Sequence, residues 1–374
     1  MKKRIPTLLL ALILTLSLFA GCASTAKTDT ADTQPADAAP AETTDTTTST
    51  DTAADTADTE TADTVAPTRE KTLVLKVATN HSTGTAVEQS LQKMAELVKE
   101  KTGGGIEVDV FADGTLGTET ELRDMCSTGS LDMAALGAGV YGSYVAAANL
   151  PVSNFTFSDE DTMLAVLNGE LGKKYINDPV EAAANIHTLY GWAQAPRELL
   201  TVKPVTCLAD LKGMKIRVPA GNQLYVDTWA AYGALPISLP MTECYTALEQ
   251  GVIDGLEMPV DSLYTGGYYE AAKYLALTNH MMYVQYVMMN ADVWNSLSAE
   301  EQTAFNEAVV EAGEYHKELR DESINKMIED MEAKGVTVTE LDITEWMDAT
   351  KPVAEQWMDN WGQEVYDAFT GFTK

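Results

Sequence analysis

An alternation of strand-like and helix-like segments from Leu73 onward constrains the fold more than any other feature of this sequence. Residues 73–79 (LVLKVAT) predict a strand, and residues 106–111 (IEVDVF) predict a second one because apolar and polar side chains alternate. Between them, apolar residues recur at the spacing of one helix face, and the glycines at 103–105 end that helix. The face is formed by Val87, Leu91, Met94, Leu97 and Val98. A β-α-β unit of this kind packs as a parallel sheet covered by helices, so the sequence predicts an α/β fold.

Two short segments, 125–136 and 247–258, repeat one arrangement. In each, a predicted helix ends at a glycine, an aliphatic residue and an aspartate (Asp132 or Asp254) follow, and an apolar strand comes next. Such junctions recur in many α/β proteins, so the match is weak by itself. It fits two lobes that are built on similar sheets.

Local signals mark where two later helices begin. Ser298 and Glu301 have the spacing of a capping box and begin a helical region long enough to cross from one lobe to the other. Thr242 is predicted to cap a helix that runs to Gln250.

The amino terminus has the pattern of a secretory signal. Three cations precede an apolar run from Leu8 to Phe19, which is shorter than the roughly 20 residues that span a bilayer. Residues 1–21 are therefore predicted to be a signal peptide. The run ends in FAGC, which resembles the lipobox of bacterial lipoproteins except at Phe19, where leucine is commoner. This resemblance implies that Cys22 is lipidated and anchors the protein to the outer face of the cell membrane, on the periplasmic side in a Gram-negative cell.

The segment that follows cannot form a core. Residues 23–68 consist almost entirely of Thr, Ala, Asp, Ser, Glu and Pro, and they include no aromatic residue. We therefore predict that residues 22–70 are the lipidated cysteine and a disordered acidic tether. The tether holds ten acidic residues and one lysine, so roughly nine of the formal 31 negative charges belong to it and the folded body remains strongly acidic by itself. Nucleic acid is an unsuitable partner for such a protein.

The sequence lacks the common signatures of catalysis. It contains no G-x-S-x-G, H-E-x-x-H or Walker motif, and its four histidines are widely spaced, so we expect neither an enzyme nor a bound metal or cofactor. The glycines of 137–142 spell G-x-G-x-x-G but follow a third strand, so they suit the wall of a cleft better than a dinucleotide site. Cys126, Cys207 and Cys244 form no C-x-x-C pair, and we expect each to be a small buried side chain.

One charged residue has two possible roles. In residues 210–219 (DLKGMKIRVP), apolar side chains alternate with Lys215 and Arg217 as in a half-buried strand. Arg217 either covers the wet face of an edge strand or contacts a ligand.

The sequence from Leu73 to about Tyr315 resembles the solute-binding proteins of TRAP transporters, the DctP-like family. Four motifs carry this resemblance in order and at family spacing: PRELLTVKPV, DLKGMKIRVP, ECYTALEQGVIDGLEMP and YYEAAKYLALTNH. A solute-binding lipoprotein of an ABC transporter, which also has two lobes, remains the alternative.

The resemblance implies a two-lobed, periplasmic-binding-protein-like fold of type II-like form that closes over an organic anion. Lobe I would comprise 71–194 plus 284–322, and lobe II would comprise 195–283 plus 323–374, with hinge strands and a long helix between them. The implied partners are a small-molecule carboxylate and the small and large permease subunits of the membrane, and the binder is expected to be a monomer.

The resemblance also implies roles for two arginines. Arg217 matches the family arginine that forks onto the ligand carboxylate, and Arg197 matches a second family arginine. Guanidinium suits this role because it is always charged and offers two parallel donors. Residues 134–138 lack the glutamate of sialic-acid binders, which disfavours that ligand.

Five further residues complete the expected site. Asn80 and His81 end the first strand, where the family places polar ligand contacts, although capping of a loop is an equal alternative. Met258 stands where many members have asparagine, which predicts a more apolar solute. Met241 is expected to contact the ligand, and Trp192 either walls the cleft or belongs to the core.

Overall fold

The computed structural model describes residues 69–371. The signal peptide, Cys22 and the tether up to residue 68 lie outside the described residues, so the predictions made for them stay predictions.

Nine strands in the described range form one sheet. The strands are β1 (Leu73–Ala78), β2 (Ile106–Phe111), β3 (Met133–Gly137), β4 (Ile186–Thr201), β5 (Lys215–Pro219), β6 (Leu235–Leu239), β7 (Gly255–Pro259), β8 (Tyr274–Asn290) and β9 (Thr337–Glu340). The helices are α1 (Ala86–Lys101), α2 (Glu119–Thr128), α3 (Glu160–Leu167), α4 (Glu170–Gly172), α5 (Asp178–Ala184), α6 (Gln223–Ala231), α7 (Cys244–Glu249), α8 (Val260–Thr265), α9 (Ala291–Asn295), α10 (Ala299–Ala333), α11 (Thr344–Trp361) and α12 (Gln363–Thr370).

The sheet has two parallel halves. The first half has the strand order β2-β1-β3 and the second has β7-β5-β6, while β4 and β8 run antiparallel through the centre. The predicted β-α-β unit is confirmed, since β1 and β2 are parallel and α1 lies between them in the chain. Its five apolar face residues are all buried.

The two halves meet where the pairing of β4 and β8 changes register. The pairing of β4 with β8 is interrupted between Gln194 and Arg197 and again between Arg197 and Leu199. On one side of this point β8 pairs with β3, and on the other side β4 pairs with β7. Register shifts bend and twist a strand locally, so the long strands can change direction here.

Helix α10 connects the two halves. It begins at the predicted capping box, in which Ser298 accepts from the backbone N–H of Glu301 and Glu301 accepts from the backbone N–H of Ser298. Its first part packs on α1 and β4, and it also contacts α8 in the second half. Within residues 69–371, no helix has both the length and the hydrophobicity to cross a membrane.

Two local predictions are wrong. Thr242 does not cap α7, because a 3-10 turn at Met241–Glu243 follows Pro240 and moves the start of the helix to Cys244. Cys207 is exposed, since it precedes a short 3-10 turn in the connection between β4 and β5. Cys126 and Cys244 are buried as predicted.

Candidate functional site

A narrow cavity of about 30 Å³ lies where the two halves of the sheet face each other. The carboxyl ends of β1, β3, β5 and β7 point toward it, which is the usual place for a ligand in an open α/β sheet. Its walls are formed by Asn80, His81, Glu119, Gly137, Arg197, Arg217, Pro219, Met241, Met258, Pro259, Ser262, Tyr283 and Gln285. Six of the seven ligand-binding residues predicted from the sequence are therefore brought together in one cavity, and Trp192 is not among them.

Arg217 lies on an inner strand of the sheet rather than on a solvent-exposed edge strand. Its strand β5 has neighbours on both sides, and the residue is 3% exposed. Its Nε donates to the carbonyl oxygen of Leu239 at 2.9 Å, and this is its one hydrogen bond within the described part of the chain. That bond fixes the guanidinium plane, and neither terminal nitrogen has a hydrogen-bond partner within residues 69–371.

Arg197 is held by a buried carboxylate. Its Nε and Nη2 donate to the two carboxylate oxygens of Glu257 at 2.5 and 2.8 Å. His280 lies 3.2 Å from the same carboxylate through Nε2. Burial would raise the pKa of Glu257, but Arg197 and His280 hold it at about 2, so the carboxylate stays charged.

Aromatic rings cover the same arginine. The Arg197 guanidinium carbon lies 4.6 Å from the ring centroid of Tyr283 and 5.6 Å from that of Tyr225. Both distances fall in the range of cation–π contacts. Arg197 is thus oriented on several sides before any ligand arrives.

The polar side chains after β1 form a network with the central strands. His81 Nε2 and Gln194 Nε2 both lie within hydrogen-bond distance of Gln285 Oε1, at 3.3 and 2.7 Å. Gln285 Oε1 accepts from Gln194 Nε2, and it would also accept from His81 in the tautomer with the proton on Nε2. Burial lowers the pKa of His81 to about 4, so its ring is neutral at pH 7.

Four buried polar atoms at the cavity lack a hydrogen-bond partner within residues 69–371. They are Asn80 Oδ1, His81 Nδ1, Ser262 Oγ and Gln285 Nε2. An unpaired buried polar group is costly, so groups of this kind indicate a polar partner. The set offers both acceptors and donors, which is what hydroxyl groups require.

Two methionines and a carboxyl complete the walls. Met258 is buried and follows Glu257 on β7, while Met241 accepts a weak contact from Asn80 Nδ2 at 3.8 Å from its sulfur. Glu119 accepts a hydrogen bond from the backbone N–H of Gly137 at 3.2 Å. Burial raises the pKa of Glu119, and the charge of Arg217 counteracts this effect.

Trp192 belongs to the core beneath α10. Its indole Nε1 donates to the carbonyl oxygen of Val309 at 2.9 Å, and its ring stacks on His316. It precedes the register shift of β4 and points to the helix-covered face, so it does not wall the cleft.

Sequence reasoning missed Glu119, Ser262, Tyr283 and Gln285. Gln285 had a detectable signal, because it interrupts the run of apolar and tyrosine side chains at 281–289 (MMYVQYVMM) in β8. Glu119 begins the helix that follows β2, and Ser262 lies in the first turn of α8, so neither stands out from ordinary helix starts.

Within the described residues, no group of three or more His, Cys, Asp or Glu side chains is arranged to hold a metal ion. The fold and the cavity between its halves define a two-lobed solute-binding protein. Residues 77–360 match the bacterial extracellular solute-binding proteins of family 7, so the chain belongs to this DctP family of TRAP-type solute-binding proteins.

Proteins of known structure and function are similar to this chain over most of its length. A solute-binding protein of Roseobacter denitrificans is 33% identical over 259 residues, which is 69% of this chain and 79% of that protein. The 2,3-diketo-L-gulonate-binding periplasmic protein YiaO of Escherichia coli K12 is 31% identical over 69% of this chain and 78% of its own length. A TRAP solute-binding protein of Pseudomonas putida F1, crystallised with D-glucuronate, has a TM-score of 0.75 and 31% identity over 79% of this chain and 97% of its own. These matches favour a TRAP-type binder over the ABC-type alternative.

Proposed function

We propose that this protein captures a hydroxylated organic acid by closing its lobes over it, with Arg217 gripping the carboxylate. The free terminal nitrogens of Arg217 at the cavity are the observation on which the proposal rests. Two parallel N–H donors match the two oxygens of a carboxylate, and burial strengthens the pair. Arg197 keeps a second cation at the same cavity, although Glu257 already neutralises it.

The unpaired polar atoms support hydroxyl groups on the ligand. Asn80, His81, Ser262 and Gln285 each offer one buried atom that a ligand hydroxyl would satisfy. The relatives that bind 2,3-diketo-L-gulonate and D-glucuronate carry sugar acids, which have this chemistry. The thioethers of Met241 and Met258 would pack on the carbon skeleton. A sugar acid would therefore satisfy more of the buried polar atoms at the cavity than the more apolar solute expected from Met258 alone.

The lobes are proposed to be 71–194 plus 284–322 and 195–283 plus 323–374. The register shift between Gln194 and Arg197 coincides with the first boundary and supports a hinge there. Opening about this point would separate the carboxyl ends of β1 and β3 from those of β5 and β7 and admit the ligand.

The setting of the protein is also proposed. The family acts outside the cytoplasm with membrane permeases. We place this member there as a monomer that is anchored through a lipid on Cys22 and passes its solute to the small and large permease subunits. It binds its solute without chemical change and needs no cofactor.

A thermal-shift screen tests the ligand class. D-glucuronate and other sugar acids are compared with cyclohexanecarboxylate, which keeps the ring and the carboxylate but lacks the hydroxyl groups. Saturation at 100 times the dissociation constant adds about 2.7 kcal/mol of stability, so binding will be visible as a rise in Tm. A rise with at least one sugar acid and none with cyclohexanecarboxylate is expected. A rise with the unhydroxylated acid alone would refute the proposed class.

A further inference from the structure

The end of β3 and the side chain of Tyr283 compete for one space in the cavity. A Cβ atom on Gly137 would lie 1.7 Å from Tyr283 Oη and 2.6 Å from its Cζ. Both distances are too short for atoms that are not bonded to each other. The phenol therefore occupies the position that a side chain at residue 137 would take. Gly137 and Tyr283 are a matched pair, because either a longer residue at 137 or this tyrosine fits, but not both.

The tyrosine is held firmly in that place. Its ring lies 4.6 Å from the guanidinium carbon of Arg197, which Glu257 fixes in turn. Tyr283 is 6% exposed, and burial raises its pKa well above the ordinary value, so the phenol keeps its proton at neutral pH. The hydroxyl therefore serves as a donor as well as an acceptor.

The position of the pair relative to Arg217 matters for the ligand. Gly137 ends a strand of the first half of the sheet, whereas Arg217 belongs to the second half, and both line the same cavity. A ligand whose carboxylate is bound by Arg217 would therefore share this cavity with Gly137 and Tyr283.

We propose that the Gly137–Tyr283 pair is the specificity-determining wall that limits ligand length and hydrogen-bonds the distal hydroxyl of the solute. This inference rests on the proposed capture of a hydroxylated acid. It explains why the cavity is narrow, since the rigid ring of Tyr283 fills the space that the absence of a side chain at Gly137 leaves open. Acids that extend beyond the wall, such as sialic acid, are excluded by the ring.

The test measures binding of D-erythronate, D-glucuronate and sialic acid by calorimetry to the wild type, Tyr283→Ala and Tyr283→Phe. The wild type is expected to bind D-erythronate or D-glucuronate and to reject sialic acid. Tyr283→Ala should raise the affinity for sialic acid relative to the shorter acids by at least about tenfold, the range for opening or filling a pocket. Tyr283→Phe keeps the bulk of the wall and should still reject sialic acid while losing affinity for the shorter acids.

Gly137→Ala and the double variant with Tyr283→Ala test the competition for space. Gly137→Ala should lower Tm and weaken binding of the shorter acids at least about tenfold in the wild-type background, and it should cost far less when residue 283 is alanine. Equal costs in both backgrounds, or an unchanged length preference in Tyr283→Ala, would overturn this inference and leave the proposed function standing. Failure of the wild type to bind any sugar acid of the thermal-shift screen would overturn both.

Discussion

Arg197 sits at the end of a buried chain of polar contacts. Glu257 accepts two hydrogen bonds from it, His280 touches the same carboxylate, and His280 Nδ1 lies 2.7 Å from the hydroxyl of Thr278. Each of these groups is buried, so each depends on the next for its hydrogen bonds. The chain holds Arg197 in one orientation at the cavity wall.

Breaking this chain should be costly. Glu257→Gln leaves the Arg197 cation buried without its counter-ion, which is expected to reduce the free energy of unfolding by about 3–5 kcal/mol. Glu249→Gln changes an exposed glutamate of the neighbouring α7 and serves as the control. Urea unfolding measures both, and equal stability of the two variants would contradict the account of Arg197.

Glu198 gives a second residue-scale prediction, on pH. Burial raises its pKa from 4.5 to about 7, although hydrogen bonds from Asn279 and Thr278 act in the opposite direction. Between pH 4.5 and 7 the folded protein therefore keeps a proton that the unfolded chain has lost, so Glu198 destabilises the fold increasingly as pH rises through this window. Below the window both forms are protonated, and above it both are ionised.

The stability of the wild type relative to Glu198→Gln should fall by up to about 3 kcal/mol between pH 4.5 and 7 and stay level beyond either limit. Unfolding in urea at several pH values measures the difference, with the exposed Glu345→Gln as the control. A difference that rises with pH would contradict the predicted sign.

At the scale of elements, the two halves of the sheet repeat one junction. Asp132 Oδ2 accepts from the backbone N–H of Lys76 at 2.9 Å, and Asp254 Oδ2 accepts from that of Lys215 at 2.9 Å. In each half the aspartate thus connects the strand that it precedes, β3 or β7, to the middle strand of the same half, β1 or β5. The similarity of the two segments in the sequence reflects this shared contact.

The start of α10 gives a prediction about an element. Ser298→Ala removes one side of the capping box and should cost about 1 kcal/mol in the free energy of unfolding. Thr303→Ala, on the exposed face of the same helix, should change it by no more than about 0.5 kcal/mol. Equal losses of free energy from the two changes would contradict the predicted contribution of the cap.

Strands and helices were predictable where periodicity is strong. β2 has the predicted bounds, and β1 ends one residue before the predicted end, because apolar spacing alone decides which face is buried. The start of α7 was not predictable, since the 3-10 turn after Pro240 depends on tertiary contacts. The roles of Glu119 and Tyr283 also had no local signal, because both follow from how distant strand ends meet at the cavity.

At the scale of the whole molecule, α10 and the carboxyl-terminal helices span both halves. Arg320 of α10 donates to the carbonyl oxygen of Ala193 at 2.8 Å and pairs with Glu160 at 2.7 Å, so the helix is tied to β4 just before its register shift. Helix α11 contacts both α6 and the segment 146–152. These contacts would hold the halves together during the proposed movement about the register shift.

Closure on the ligand should be measurable in solution. A sugar acid that binds in the thermal-shift screen should reduce the radius of gyration measured by small-angle X-ray scattering, because the two lobes come together around it. Arg217→Ala at the same ligand concentration should keep the larger radius. An unchanged radius on saturation of the wild type would contradict closure.

The most direct test of the account is calorimetry of that acid with wild type, Arg217→Lys and Arg217→Ala, with circular dichroism to verify folding. Lysine keeps the charge but loses the two-donor fork, and alanine leaves the carboxylate without its partner, at a cost of roughly 2–5 kcal/mol. We predict a loss of affinity of more than tenfold for Arg217→Ala and an intermediate loss for Arg217→Lys. Dissociation constants that are nearly equal across the three proteins would contradict the assignment of Arg217 as the carboxylate-binding residue.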